Sequence, residues 1–323
     1  MRRPAVVLKS VAASLALLAL ISIAPAAIAN DGAPKSLPAA PASYVTQAPI
    51  VMLKDLDTGK MLFSRGADKR FAPASMAKVM TAYVVLDLIK RGQLSRDKLF
   101  TVEAATWKTW SARSRSSSMF LSAGETVSVD DLLKGLITVS GNDAAAVLAV
   151  GIDGSEAAFS KRMNGVAAKI GMSSSNFGTP SGWPDGGVTK VSAGDLILLA
   201  ERLIRDHPDG YARYFSIPKF RHGTSPDGKP IVQANRNPIL GRIAGADGLK
   251  TGHTSEAGYC FLGSAKRDGR RLIMVVAGMP SERARRDEAE RLMNWGFAPD
   301  GAGTKAQDRR PAAPKDRAAA TRR

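Results

Sequence analysis

The sequence predicts an α+β fold: an antiparallel five-stranded sheet drawn from both ends of one ordered region, flanked by helices, with a mostly helical region inserted between the two halves. Three observations predict it. The region opens on a β-hairpin signature, in which Ile50-Val51-Met52-Leu53 and Lys60-Met61-Leu62-Phe63 flank Asp57-Thr58-Gly59. It closes on three strand-like runs, 248–254, 257–266 and 271–279, the last two joined at Arg267-Asp268-Gly269-Arg270. Between these ends the apolar residues recur with the helical period.

Taken in order, residues 1–29 carry the three parts of a secretory leader. Arg2, Arg3 and Lys9 form a basic start, 11–23 is an apolar core too short for a membrane span, and Ala27-Ile28-Ala29 is a small-residue cleavage site. This predicts export, with a mature chain starting at Asn30. Residues 30–43, rich in Ala and Pro, read as a disordered lead-in.

A helix is predicted from Ser75 to about Arg91. Pro73 stands just before it, Met76, Val79, Met80, Tyr83, Val84 and Leu86 share one face, and Gly92 stops it. Residues 93–130 are mixed. There Trp107 and Trp110 precede a Ser/Arg tract, 111–118, that reads as a solvated loop, with a basic binding rim as the alternative. Residues 129–150 read as helix, turn, helix, with Ser140-Gly141-Asn142 in the turn.

An amphipathic helix follows at 156–170, with Phe159, Met163, Val166 and Ile170 on one face, then a Gly/Pro loop at 176–187. Ser192, with Asp195 three residues on, is a capping signal for a helix over 196–205. Residues 214–240 read as a β-rich excursion turning at Pro226-Asp227-Gly228, and a last helix spans 282–295. The domain predicted to carry the chemistry is 44–298. Residues 299–323, Ala, Pro, Lys and Arg without an apolar period, read as a disordered basic tail able to touch an anionic surface.

Composition narrows the function classes. The 323 residues carry 46 Lys and Arg against 29 Asp and Glu, a net charge of +17, which points to an anionic partner. No nucleic-acid motif is present, so in an exported protein that partner is a cell-wall polymer or lipid. The one cysteine, Cys260, excludes intrachain disulfides and reads as a core residue. Three histidines without an H-E-x-x-H motif leave no familiar zinc site, and no metal or cofactor is implied. His207 and His222 read as surface residues.

Ser75 and Lys78 lie one helical turn apart on one face. A serine at a helix N-terminus beside an amine that burial can deprotonate is an activated nucleophile. Alone, the S-x-x-K pattern is weak. Here it is followed in order by Ser140-Gly141-Asn142 and, heading a strand, by Lys250-Thr251-Gly252. On these motifs the chain resembles the serine-type D-alanyl-D-alanine carboxypeptidases, low-molecular-mass penicillin-binding proteins of the peptidase S11 family. Further similar stretches are Ser118-Met119-Phe120-Leu121, Leu133-Lys134-Gly135, the 248–254 block, Ala257-Gly258-Tyr259 and Trp295-Gly296-Phe297.

The resemblance implies a β-lactamase/DD-peptidase-like fold and a set of roles. Ser75 is the nucleophile, and Lys78 the general base, its pKa lowered by burial and by Lys250. Ser140 relays a proton, and Asn142 binds the substrate backbone. Lys250 and Thr251 bind a terminal carboxylate, with Gly252 allowing close approach. The backbone N–H groups of Ser75 and His253 form the oxyanion hole, and Arg236 and Arg285 assist at the carboxylate. The implied partners are peptidoglycan stem peptides ending in D-Ala-D-Ala, and β-lactams as covalent inhibitors. Many relatives also carry a C-terminal β-domain and an anchoring helix. The chain stops soon after Phe297, which implies a periplasmic protein, soluble or held peripherally.

Three other readings share parts of this framework. A D,D-endopeptidase uses the same residues. A wall-binding module keeps the fold without activity, which the intact motif argues against. A class A β-lactamase needs a deacylating glutamate, and only Glu156 and Glu201 lie between Asn142 and Lys250.

Overall fold

The hairpin forms as the sequence predicts, and it lies beside the last strand rather than at the far side of the fold. In the computed structural model, which describes residues 44–298 apart from 112, 114, 115 and 226, Ile50–Asp55 (β1) and Met61–Arg65 (β2) pair antiparallel. The turn is tied by the Asp55 carboxylate, which accepts from the N–H groups of Asp57 and Thr58. The leader, lead-in and tail expectations fall on 1–43 and 299–323, outside the described residues.

Ala74–Ala77 forms a 3-10 turn that runs into Lys78–Lys90 (α1). The next elements are Leu99–Thr101 (β3), Ala104–Ser111 (α2), Thr126–Ser128 (β4), Val129–Thr138 (α3), Asn142–Asp153 (α4) and Glu156–Lys169 (α5). Ala193–Asp206 (α6), Pro208–Tyr214 (α7) and the ribbon Lys219–Thr224 (β5) with Pro230–Ala234 (β6) follow. Ala246–Thr254 (β7), Gly258–Arg267 (β8), Arg270–Met279 (β9) and Glu282–Phe297 (α8) complete the described chain. Ser192 caps α6 as expected, its hydroxyl accepting from the Asp195 N–H at 3.1 Å.

The main sheet has the order β2-β1-β9-β8-β7, antiparallel throughout. Both faces are covered, which explains why its central strands read as unbroken apolar runs. Ile50, Met52, Ile273 and Val275 point into the core shared with the helical region. Val51, Leu53, Met274 and Val276 point to the other face, where Leu292, Met293 and Trp295 of α8 pack. Cys260 is the core residue expected: fully buried, with its thiol pKa pushed up to about 11 by burial. Among the described residues no helix is long and apolar enough to cross a membrane.

Two expectations are corrected. His207 is buried, its ring edge-on to Tyr83, and His222 is half-buried against the Glu125 carboxylate at 2.9 Å. Within 111–118, the described residues Arg113, Ser116 and Ser117 form part of a binding rim rather than a solvated loop. Ser116 and Ser117 line a cleft, and the Arg113 guanidinium lies over both the Trp110 and Trp183 rings, 4.3 and 5.0 Å from their centroids. A Ser/Arg composition reports polarity, but it does not show that two indoles close over the arginine.

Candidate active site

Ser75 sits in the 3-10 turn, not in the α-helix proper, and the turn is tightly seated. Ala74 before it has a φ of +48°, a left-handed conformation that costs a residue with a side chain about 1–2 kcal/mol. The seat exists because two glycines face it. A Cβ on Gly182 would lie 1.9 Å from the Ala74 carbonyl oxygen, and one on Gly252 would lie 2.3 Å from that of Pro73. Strand β7 therefore runs against the nucleophile turn at backbone distance, which makes Gly252 a packing requirement as expected. Gly252→Ala should destabilise the protein by about 1–3 kcal/mol through overpacking. A thermal melt checks this, with the midpoint expected to fall by roughly 2–4 °C per kcal/mol.

Lys78, first residue of α1, is fully buried. Its Nζ lies 2.9 Å from Ser75 Oγ and donates to Asn142 Oδ1 and to the Ser181 carbonyl, each at 2.7 Å. Burial lowers its pKa from the usual lysine range to about 7; Arg236 adds to the depression and Asp143 opposes it. Arg236 thus joins Lys250 as a neighbouring cation, the repulsion between Lys78 and Lys250 being mutual. A neutral amine fits the three contacts: two N–H bonds serve the two carbonyl oxygens, and the lone pair faces the Ser75 hydroxyl. That is the arrangement of a base poised to take the serine proton.

Ser140 lies between α3 and α4, buried, with a φ of +64°. Such a conformation in a serine marks an over-determined position. Asn142 starts α4, and its N–H donates to the Ser117 carbonyl at 2.8 Å. The next residue, Asp143, collects the 118–121 segment: its carboxylate accepts from Ser118 Oγ at 2.6 Å and from the Met119 N–H at 3.0 Å. Lys250 on β7 is 2 % exposed, and its Nζ donates to the Thr251 carbonyl at 3.2 Å. Burial drives its pKa well below the ordinary value, and Lys78, Arg236 and Arg285 drive it further the same way.

Ser75, Ser140, Asn142, Thr251, Arg236 and Arg285 line one cleft of about 500 Å³, while Lys78 and Lys250 are buried out of its lining. Arg285, on α8, is 4 % exposed; its Nη2 donates to Glu282 Oε1 at 3.1 Å, and its Nε has no partner among the described residues. It is a buried cation facing the cleft, not a solvated charge on a helix. Arg236 reaches the cleft from the end of β6, donating to Ser117 Oγ. His253 is exposed, its ring stacked on Tyr259 at 3.9 Å, which leaves a backbone role for this residue. Glu282 is the one acid on the cleft wall. Glu156 instead accepts from Trp110 Nε1, and Glu201 pairs with Lys54 and Arg205, so neither lines the cleft.

The sequence reading missed Ser181, Asp143, Ser117 and Gly182. Ser181 and Gly182 act through backbone and carry no side-chain signal. Asp143 stands in the first turn of α4, where an acid reads as ordinary helix capping. The arrangement can attack a carbonyl, hold an anion beside it and move a proton without a metal.

The family model for Peptidase_S11, D-alanyl-D-alanine carboxypeptidase, matches residues 37–281. D-alanyl-D-alanine carboxypeptidase DacC of Escherichia coli K12 is 40% identical over 263 residues, covering 79% of this chain and 64% of its own length. The chain thus spans less than two thirds of that relative, and 61% of DacA from Haemophilus influenzae. The crystal structure of penicillin-binding protein 5 from Haemophilus influenzae superposes with a TM-score of 0.73 at 37% identity, covering 79% of this chain and 72% of that one. Penicillin-binding protein D2 from Listeria monocytogenes, solved in its ampicillin-bound form, gives 0.68 at 35% identity and is covered over 98% of its length, with 79% of this chain. With the family model matched over most of its length and its fold shared with these solved structures, the chain belongs to the Peptidase S11 family of D-alanyl-D-alanine carboxypeptidases.

Proposed function

We propose that the protein is an exported serine D-alanyl-D-alanine carboxypeptidase that removes the terminal D-alanine from peptidoglycan pentapeptides. The observation that carries this is Ser75, hydrogen-bonded to the buried Lys78, on a cleft that Arg236 and Arg285 also line, with Lys250 buried close enough to these cations for their charges to act on it. An attacked carbonyl one residue from a free carboxylate suits that spacing of nucleophile and cations.

In the first step Ser75 Oγ bonds to the carbonyl carbon while its proton passes to Lys78. The backbone N–H groups of Ser75 and His253 hold the oxyanion. The C–N bond then breaks, the proton reaching the departing amine through Ser140, and D-alanine leaves. Asn142, whose Oδ1 is engaged by Lys78, turns its amide nitrogen to the substrate backbone. Thr251 and the cations hold the carboxylate. Water finally adds to the acyl-Ser75 carbon, Lys78 taking its proton and returning it to Ser75 Oγ as the ester bond breaks, and the shortened peptide is released. A β-lactam placed in the cleft acylates Ser75 by opening its ring, with no leaving group to depart. Residues 44–298 form the catalytic domain of this reading. Residues 1–29 act as the export signal, to the periplasm, and the basic tail meets an anionic surface.

The test is mass spectrometry of a muropeptide pool containing pentapeptide monomers and cross-linked dimers, before and after incubation. Monomers are expected to lose one alanine residue while dimers survive. Splitting of the dimers would make the protein an endopeptidase, and an unchanged pool would remove the enzymatic reading.

A further inference from the structure

A second pocket, of about 350 Å³, lies next to the catalytic cleft and shares Ser116 with it. That volume is at the lower end of the range of ligand pockets, roughly 300–1,000 Å³. The partition between the two is the Arg113 guanidinium stacked on Trp110, which forms the far pocket's wall, and on Trp183, which lines the cleft.

Its lining has a distinctive chemistry. Trp107 and Phe120 contribute rings that are 41 % and 59 % exposed, the Trp110 ring lies behind them, and the hydroxyls of Thr106, Ser116 and Ser122 stand around. Phe120 keeps its ring in the open at a φ of +65°, a conformation that a bulky side chain rarely adopts. Asp143 also reaches the pocket, but its carboxylate is taken up by Ser118 and the 119 and 121 N–H groups, so it offers little to a cation.

We propose that this pocket binds an N-acetylated amino-sugar ring of the glycan to which the stem peptide is attached, so that the enzyme acts on sugar-linked pentapeptide in preference to free peptide. This rests on the carboxypeptidase reading above. A sugar ring has an apolar C–H face that fits exposed aromatic rings and hydroxyl edges that fit Thr and Ser side chains. The free edge of the main sheet, strand β7, borders the catalytic cleft and contributes no residue to this second pocket, so a peptide pairing with that edge leaves the pocket open to another part of the same molecule. Continuity through Ser116 lets one molecule occupy both pockets.

The experiment compares D-alanine release from a free pentapeptide and from the same pentapeptide on its disaccharide, by wild type and by Trp107→Ala and Phe120→Ala, alone and combined. Both side chains are largely exposed, so their truncation leaves the core intact, and a thermal melt verifies it. Wild type is expected to favour the sugar-linked substrate by roughly tenfold or more in kcat/KM, and the double variant to lose that preference while keeping its rate on free peptide. Trp107→Phe, which keeps a ring, should restore part of it. Equal wild-type rates on the two substrates would overturn the proposal, as would an equal loss on both in the variants. If wild type released D-alanine from neither, the carboxypeptidase reading would fail instead. Calorimetric titration with the peptide-free disaccharide then decides: binding that is lost in Trp107→Ala upholds the pocket, and no binding to wild type removes it.

Discussion

Ser75→Ala is expected to abolish both D-alanine release and covalent labelling by penicillin, with kcat falling by at least about four orders of magnitude. The reason is chemical and local. Ser75 Oγ is the hydroxyl of the cleft lining that lies within hydrogen-bond distance, 2.9 Å, of the Lys78 amine. Ser140, a buried serine on the wall, is not hydrogen-bonded to Lys78. Intact-mass spectrometry after incubation with penicillin reads the outcome directly: wild type gains one acyl adduct and the variant none. The wild-type adduct should also persist, because Glu156 and Glu201 are engaged away from the cleft and Glu282, the acid described on its wall, is paired with Arg285. A label that survived in Ser75→Ala would assign the nucleophile elsewhere.

The second large effect concerns Lys78. A base works only in its neutral form, so acylation should rise with pH and reach half its limit near 7, where burial has brought the amine. Below that value the ammonium has no lone pair and the rate falls. Lys78→Met, which keeps the length and apolar body of the side chain, should cut kcat/KM by roughly 10²–10⁴. It should also erase the rising limb of the profile. The check is a stopped-flow acylation series with a chromogenic β-lactam between about pH 5 and pH 9. A variant profile that kept the same limb would show that another group titrates there. Arg236→Gln gives a companion measurement. Removing the cation that adds to the depression should move the midpoint of the limb upward.

Much of this was legible in the sequence, for identifiable reasons. The hairpin, the three closing strands and the helices over 129–150, 156–170 and 282–295 announce themselves because period and turn chemistry agree. The short elements β3, β4, α2 and α7 do not, since three to eight residues are too few to show a period. Within the site, Ser75, Ser140, Asn142 and Thr251 of the three motifs line one cleft, Lys78 bonds to Ser75 and Asn142, and Lys250 lies near enough to Lys78 for their charges to interact. What stayed hidden acts through backbone or through space. The Ser181 carbonyl that holds Lys78, and the Gly182 hydrogen that makes room for the Ala74 turn, leave no mark that a reader of side chains would notice. Arg285 illustrates the limit of charge patterning. On a helix rich in arginine and glutamate nothing distinguishes it from Arg283 or Arg286, yet it alone of the three is buried facing the cleft.

The strand order carries a further consequence for how the molecule is made. Because β1 lies between β2 and β9, Ile50 waits for Ala277 and Asp55 for Leu272. The nucleophile turn waits for Gly252 in the same way. Contacts of such sequence separation slow folding, since loop closure precedes the reward. A chain emerging from its amino end therefore completes its hydrophobic helices early and holds an unpaired sheet edge until its last third arrives. Assembly of the acylating centre is thereby a terminal event in synthesis, and a truncated chain ending before β9 should carry every one of Ser75, Lys78, Ser140 and Lys250 and still have no reactive serine.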